Sequence, residues 1–160
     1  MKTLTIAWQR LVTAQGTTCE RCGNTGEAVA RAAATLQAAL RPLDIAVVLE
    51  QTEIDPAAFH GEPEASNRIL IAGRPLESWL GASTGSSPCC GACGDTHCRT
   101  LELGGEHYDA VPENLILAAA FAALPFLADD GANPSADGPA AAAPRAEDAH
   151  AVARDDSAPP

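Results

Sequence analysis

The order of hydrophobic periods over the first fifty residues constrains this chain most. Leu4, Ile6 and Trp8 alternate with polar or small residues, which is the period of a strand with one buried face. Val29, Ala33, Leu36, Leu40 and Leu43 then recur at spacings of four and three, a single helical stripe. Ile45-Ala46-Val47-Val48-Leu49 follows as an almost unbroken apolar run. Such a run reads as a strand covered on both faces, paired in parallel after a crossover helix. Asn24 followed by Glu27 resembles a capping box that opens the helix, and Pro42 closes it. These segments predict a βαβ unit.

The rest of the first 128 residues keeps alternating. Ile54 to Ala65 predicts a short helix and turn, with Pro56 in its first turn, and Arg68-Ile69-Leu70-Ile71 predicts a third strand. Pro75 to Leu80 fits a short edge segment or helical turn. Thr100 to Leu103, Gly104-Gly105 and Glu106 to Val111 read as a hairpin, because paired glycines supply the positive φ of a two-residue turn. Pro112 then opens a closing helix carrying Leu115, Ile116, Ala119, Phe121 and Leu124. This order predicts an α/β fold of the thioredoxin type. It is a three-layer sandwich of a βαβ unit, further strands and a C-terminal helix, with a cysteine-rich loop inserted before the last hairpin.

Composition changes after Ala128. Residues 129–160 are mostly Ala, Pro, Gly, Asp and Ser, with no aromatic residue and one valine. They hold seven acidic residues against two arginines. Such a segment buries too little apolar surface to offset ordering entropy and is expected to be disordered. The expected organisation is one cysteine-rich domain over 1–128 and an acidic tail over 129–160.

The net charge is −11, and Lys2 is the only lysine. Nucleic acid and anionic membranes are poor partners for a chain with no basic stripe. No apolar leader segment opens the chain, and the longest uncharged apolar run, Leu115 to Ala128, is short for a span and contains Pro125. A cytoplasmic setting is the expectation. There, clustered cysteines serve metal binding or catalysis more often than structural disulfides.

All six cysteines fall into two clusters: Cys19 and Cys22, then Cys89, Cys90, Cys93 and Cys98. They sit among turn-forming residues rather than along apolar faces. Cys19-x-x-Cys22-Gly23 and Cys90-x-x-Cys93-Gly94 both have the zinc-knuckle form, and two knuckles supply four thiolates. Cys89, Cys98 and the neighbouring His97 are then in excess, which suits a thiophilic ion, a metalloid or an iron–sulfur cluster. The adjacent Cys89 and Cys90 read better as a chelating pair than as a strained vicinal disulfide. For redox chemistry, Cys19 and Cys22 precede the predicted helix, whose N-terminus lowers a thiol pKa. Cys19 would attack and Cys22 would resolve, with Arg21 adding positive charge and Glu20 opposing it. His60, His107 and His150 read as surface residues, and Trp79 as a cap on the core. No phosphate-binding loop or serine nucleophile motif is present.

Several stretches together resemble a prokaryotic family known as domain of unknown function 2703. They are Trp8-Gln9-Arg10-Leu11, Cys19-Glu20-Arg21-Cys22-Gly23, Ser66-Asn67-Arg68-Ile69, Gly73-Arg74-Pro75-Leu76-Glu77, Ser87-Pro88-Cys89-Cys90 and Cys93-Gly94-Asp95. The resemblance covers roughly residues 1–127 and implies a thioredoxin-like fold without a known activity. In thioredoxins a cis-proline before the third strand faces the Cys pair and limits metal capture. Here Ser66-Asn67 holds that place, which favours metal.

The residues therefore favour binding of a thiophilic metal or metalloid by Cys19, Cys22, Cys89, Cys90, Cys93 and Cys98. The main alternative is a dithiol–disulfide oxidoreductase that uses Cys19 and Cys22 on a protein redox partner. A zinc-stabilised interaction domain is the third reading. Only the second makes the chain an enzyme.

Overall fold

The structure is a computed structural model that describes residues 1–89 and 96–128. The expectation of disorder over 129–160, and the readings of Cys90 and Cys93, lie outside those residues.

Strand β1 (Lys2–Leu11) leads through a loop to helix α1 (Glu20–Leu40), a 3-10 turn (Arg41–Leu43) and strand β2 (Ile45–Ile54). β1 and β2 are parallel, in register from Lys2 opposite Ile45 to Leu11 opposite Ile54. This is the predicted βαβ unit. Helix α2 (Pro56–Gly61) and a 3-10 turn (Pro63–Ala65) precede β3 (Arg68–Ile71) and β4 (Arg74–Pro75). β3 runs antiparallel to β1, and β4 antiparallel to β3, so the four-stranded sheet has the order β2-β1-β3-β4. Helix α3 (Leu76–Leu80) follows, then strands β5 (Ser83–Pro88), β6 (His97–Leu103) and β7 (Glu106–Tyr108), and helix α4 (Glu113–Ala123). The architecture is mixed α/β and consistent with a thioredoxin-like fold.

Four expectations change in detail. First, α1 begins at Glu20 with Cys19 as its N-cap, ahead of Asn24. The Asn24–Glu27 pattern lies inside the helix, which the buried Cys22 and Thr25 extend toward the N-terminus. Second, Leu43 falls in the 3-10 turn after α1 and is 64 % exposed, so the buried stripe ends at Leu40. Third, β2 is an edge strand, not one covered on both faces: Val48 is 40 % exposed while Val47 and Leu49 pack on the core. Fourth, the last hairpin does not join the main sheet. β6 pairs with β5 on one side and β7 on the other, forming a second sheet of order β5-β6-β7. The insertion therefore spans all three strands. Its β6–β7 turn is the expected one, with φ of 60° at Gly104 and 86° at Gly105.

Leu4, Ile6 and Trp8 of β1 and Ile69 and Ile71 of β3 are buried, in one core cluster with Val29, Ala32, Leu36 and Leu40 of α1. Ile116, Ala119, Ala120 and Ala123 of α4 complete that cluster. Polar links reinforce the α1–α4 packing: Arg31 Nε donates to Glu113 at 3.1 Å, and the Val111 amide donates to Thr25 Oγ1 at 3.1 Å. Trp79 is half-buried against the core, as its reading as a cap requires. Among the described residues no helix is long and apolar enough to cross a membrane.

Candidate functional site

The loop after β1 delivers Cys19 to the N-terminus of α1. Thr13 Oγ1 and Thr17 Oγ1 lie 2.7 Å apart within it, and Thr18 Oγ1 donates back to the Leu11 carbonyl at 2.8 Å. Cys19 has extended backbone at the cap (φ −73°, ψ 162°), and its carbonyl accepts the Gly23 amide at 2.8 Å. Cys19 to Gly23 therefore forms the first turn of the helix, with Cys22 on its buried face. Cys19 and Cys22 are not joined in a disulfide and are 5 % and 2 % exposed.

A second segment closes over the pair. Gln9 Nε2 donates to the Ala65 carbonyl at 3.0 Å, and Trp8 Nε1 donates to Asn67 Oδ1 at 3.4 Å. Both anchors come from β1. They hold Ser66, 1 % exposed, with its Oγ 3.5 Å from Cys22 Sγ. Asn67 adopts φ 59°, a left-handed conformation that asparagine tolerates better than most residues. Ser66 thus stands over the cysteine pair, the place that the resemblance assigned to Ser66-Asn67.

The Cys22 thiol is lowered from the ordinary 9.0 to about 6. The largest cause is a hydrogen bond from Cys19; Ser66, the Leu11 backbone and Thr18 add to it, and burial opposes it. The hydrogen bonds around Cys22 thus favour its thiolate form. Cys19 at the cap is the donor that stabilises it.

Arg21 forms an ion pair with Asp109, donates to Ser87 Oγ, and donates through Nη1 to the Pro88 carbonyl at 3.1 Å. Ser87 Oγ in turn donates to Asp109 at 2.9 Å. Arg21 thus ties the Cys19–Cys22 turn to the end of β5. Arg99 makes a second tie, donating to the Glu64 carbonyl at 3.2 Å and pairing with Glu77.

Cys89, just past the end of β5, and Cys98 of β6, which pairs with Ser87, form a disulfide with Cα atoms 5.2 Å apart. The pairing of β5 with β6 sets Cys89 diagonally beside Cys98. Cys89 packs against the cluster containing Cys19 and Cys22, and also against the small cluster of Leu11, Phe59 and Cys98. Among the described residues no three His, Cys, Asp or Glu side chains converge to hold a metal ion. His97, His60 and His107 are exposed. The sequence reading missed the Arg21–Asp109–Ser87 link and the Cys89–Cys98 pairing, because both depend on the second sheet folding back onto α1.

The profile of the family described as domain of unknown function (DUF2703) matches residues 4–120. The chain belongs to this family. A DUF2703 match over that range takes in Cys19, Cys22, Ser66, Arg21, Cys89, Cys98 and Asp109 alike. The chain is similar to an uncharacterized protein of Archaeoglobus fulgidus, 42 % identical over 113 residues, covering 71 % of this chain and 82 % of the relative. No solved structure matches.

Proposed function

We propose that this chain is a dithiol–disulfide oxidoreductase whose working pair is Cys19 and Cys22. The observation that carries the reading is the geometry of the pair: Cys19 caps the N-terminus of α1, Cys22 lies one turn in, and Ser66 Oγ stands 3.5 Å from the Cys22 sulfur. With its thiol lowered to about 6, Cys22 is the sulfur that ionises toward neutral pH. Cys22 attacks one sulfur of a disulfide, a mixed disulfide forms, and one thiolate leaves. Cys19 then loses its proton, attacks the Cys22 sulfur and releases the second thiolate. Two electrons pass to the acceptor, and Cys19–Cys22 becomes a disulfide.

A second reading is two-coordinate capture of a thiophilic ion such as Cu(I), mercury or arsenite by the same two sulfurs. It is favoured by the small Ser66 standing where thioredoxins place a metal-limiting proline.

The test is equilibration of the full chain in glutathione buffers, with alkylation and mass mapping of Cys19 and Cys22. The expected result is a reversible two-electron Cys19–Cys22 couple that vanishes in C19S and in C22S. Iodoacetamide should modify Cys22 with a midpoint near pH 6. A pair that never oxidises, in a protein that retains one equivalent of soft metal after anaerobic reducing purification, would replace this conclusion with the second reading.

A further inference from the structure

We propose that the Cys89–Cys98 disulfide is the internal acceptor for the electrons of Cys19 and Cys22, so that one chain carries both halves of a thiol relay. This rests on the oxidoreductase reading and names its immediate substrate.

Three observations carry it. Cys89 and Cys98 are joined as a disulfide while Cys19 and Cys22 are in none, the starting arrangement that exchange requires. The pairs are held together by shared neighbours. Arg21, within the Cys19–Cys22 turn, grips Pro88 and Ser87 just before Cys89 and pairs with Asp109. Leu11, whose backbone stabilises the Cys22 thiolate, packs in the cluster with Cys98, against which Cys89 also packs. Finally, Cys22 belongs to the core cluster against which Cys89 packs.

The exchange balances within the chain. The Cys22 thiolate attacks the Cys89 sulfur, forming Cys22–Cys89 and releasing Cys98 as a thiolate. Cys19 gives its proton to Cys98 and attacks Cys22, releasing Cys89 as a thiolate. The products are a Cys19–Cys22 disulfide and a Cys89/Cys98 dithiol bearing one proton. External dithiols or disulfides then exchange at the half-buried Cys89.

The intermediate is testable directly. In C19S/C90S/C93S/C98S the remaining cysteines are Cys22 and Cys89. Diamide should convert this chain to the Cys22–Cys89 disulfide, read by mass mapping of a non-reducing digest. C19S in the otherwise wild-type chain, which keeps Cys98, should yield the same linked peptide. Adding Arg21→Ala should slow the linkage about tenfold, since the two sulfurs then lose their fixed approach. Persistent Cys22 and Cys89 thiols, or linkage only between molecules, would overturn the relay. A separate arm keeps the two proposals apart: C89S/C98S should retain the Cys19–Cys22 couple in glutathione buffers. If that couple survives and the linkage fails, the relay alone falls. If the couple is lost in both C89S/C98S and the wild type, the oxidoreductase reading falls with it.

Discussion

Cys22 is a buried thiol whose neighbours favour its charged form, and that has a consequence for stability. Its value in the fold, about 6, lies below the ordinary 9.0. A depressed value contributes stability that is complete above the ordinary value and is lost as pH falls through the folded one. The contribution is on the order of a few kcal/mol at most. Under reducing conditions, the stability difference between wild type and Cys22→Ser should therefore grow from pH 6 to pH 9. Denaturant unfolding at several pH values measures it, and a flat difference would show that the thiolate gains nothing from its site. Ser66 is one of the donors, 3.5 Å away. Ser66→Ala should raise the midpoint of Cys22 alkylation by roughly one pH unit, the scale of one hydrogen bond to a charged group. Neither effect is readable from the chain alone, because Ser66 and Cys22 are 44 positions apart.

At the scale of elements, α1 is set against β1 closely enough for two of its glycines to behave oppositely. A Cβ on Gly26 would lie 2.3 Å from the Trp8 ring, and Trp8 is 3 % exposed with its indole bonded to Asn67. Gly26→Ala should cost about 1–3 kcal/mol as the ring is forced aside. It should also disturb the Trp8–Asn67 anchor that holds Ser66. At Gly23 a Cβ meets nothing within 4 Å. Gly23→Ala should stabilise by about 0.5–1 kcal/mol, because alanine loses less backbone entropy in a helix. Thermal unfolding of the two variants checks the contrast, and equal effects would mean that α1 does not press on Trp8 as described. The sequence pattern showed a helix here. It did not show that the helix starts at the cysteines, since the capping-box signal of Asn24 and Glu27 competed with a weaker cap at Cys19.

For the whole molecule, the core cluster runs from Leu4 to Leu127 and draws on both halves of the described chain. Residues 129–160 contribute one valine and no aromatic side chain to any possible burial. Deleting them should therefore shift the melting temperature by less than about 2 °C, since even 1 kcal/mol corresponds to roughly 2–8 °C for domains of this range. A larger loss would show that the acidic segment docks, with the exposed Phe121 and Phe126 of the closing helix and turn as the first place to look.

The βαβ unit, the third strand, the Gly104-Gly105 hairpin and the closing helix were legible in the sequence because each is a local matter of period, turn chemistry and side-chain size. The importance of the cysteine-bearing loops was legible for the same reason: thiols clustered among turn residues stand out without any knowledge of their partners. Which cysteine pairs with which was not. Cys89 lies beside Cys98 because β5 and β6 pair in one register, and a register is a contact between distant segments. The thiolate at Cys22 depends on Ser66 delivered from before β3, and the approach of the two pairs depends on Arg21 reaching Pro88, Ser87 and Asp109. Local sequence determined the elements and the chemistry they carry. Tertiary structure alone decided which neighbours each sulfur meets, because Ser66 reaches Cys22, and Cys89 reaches Cys98, only when distant segments pack together.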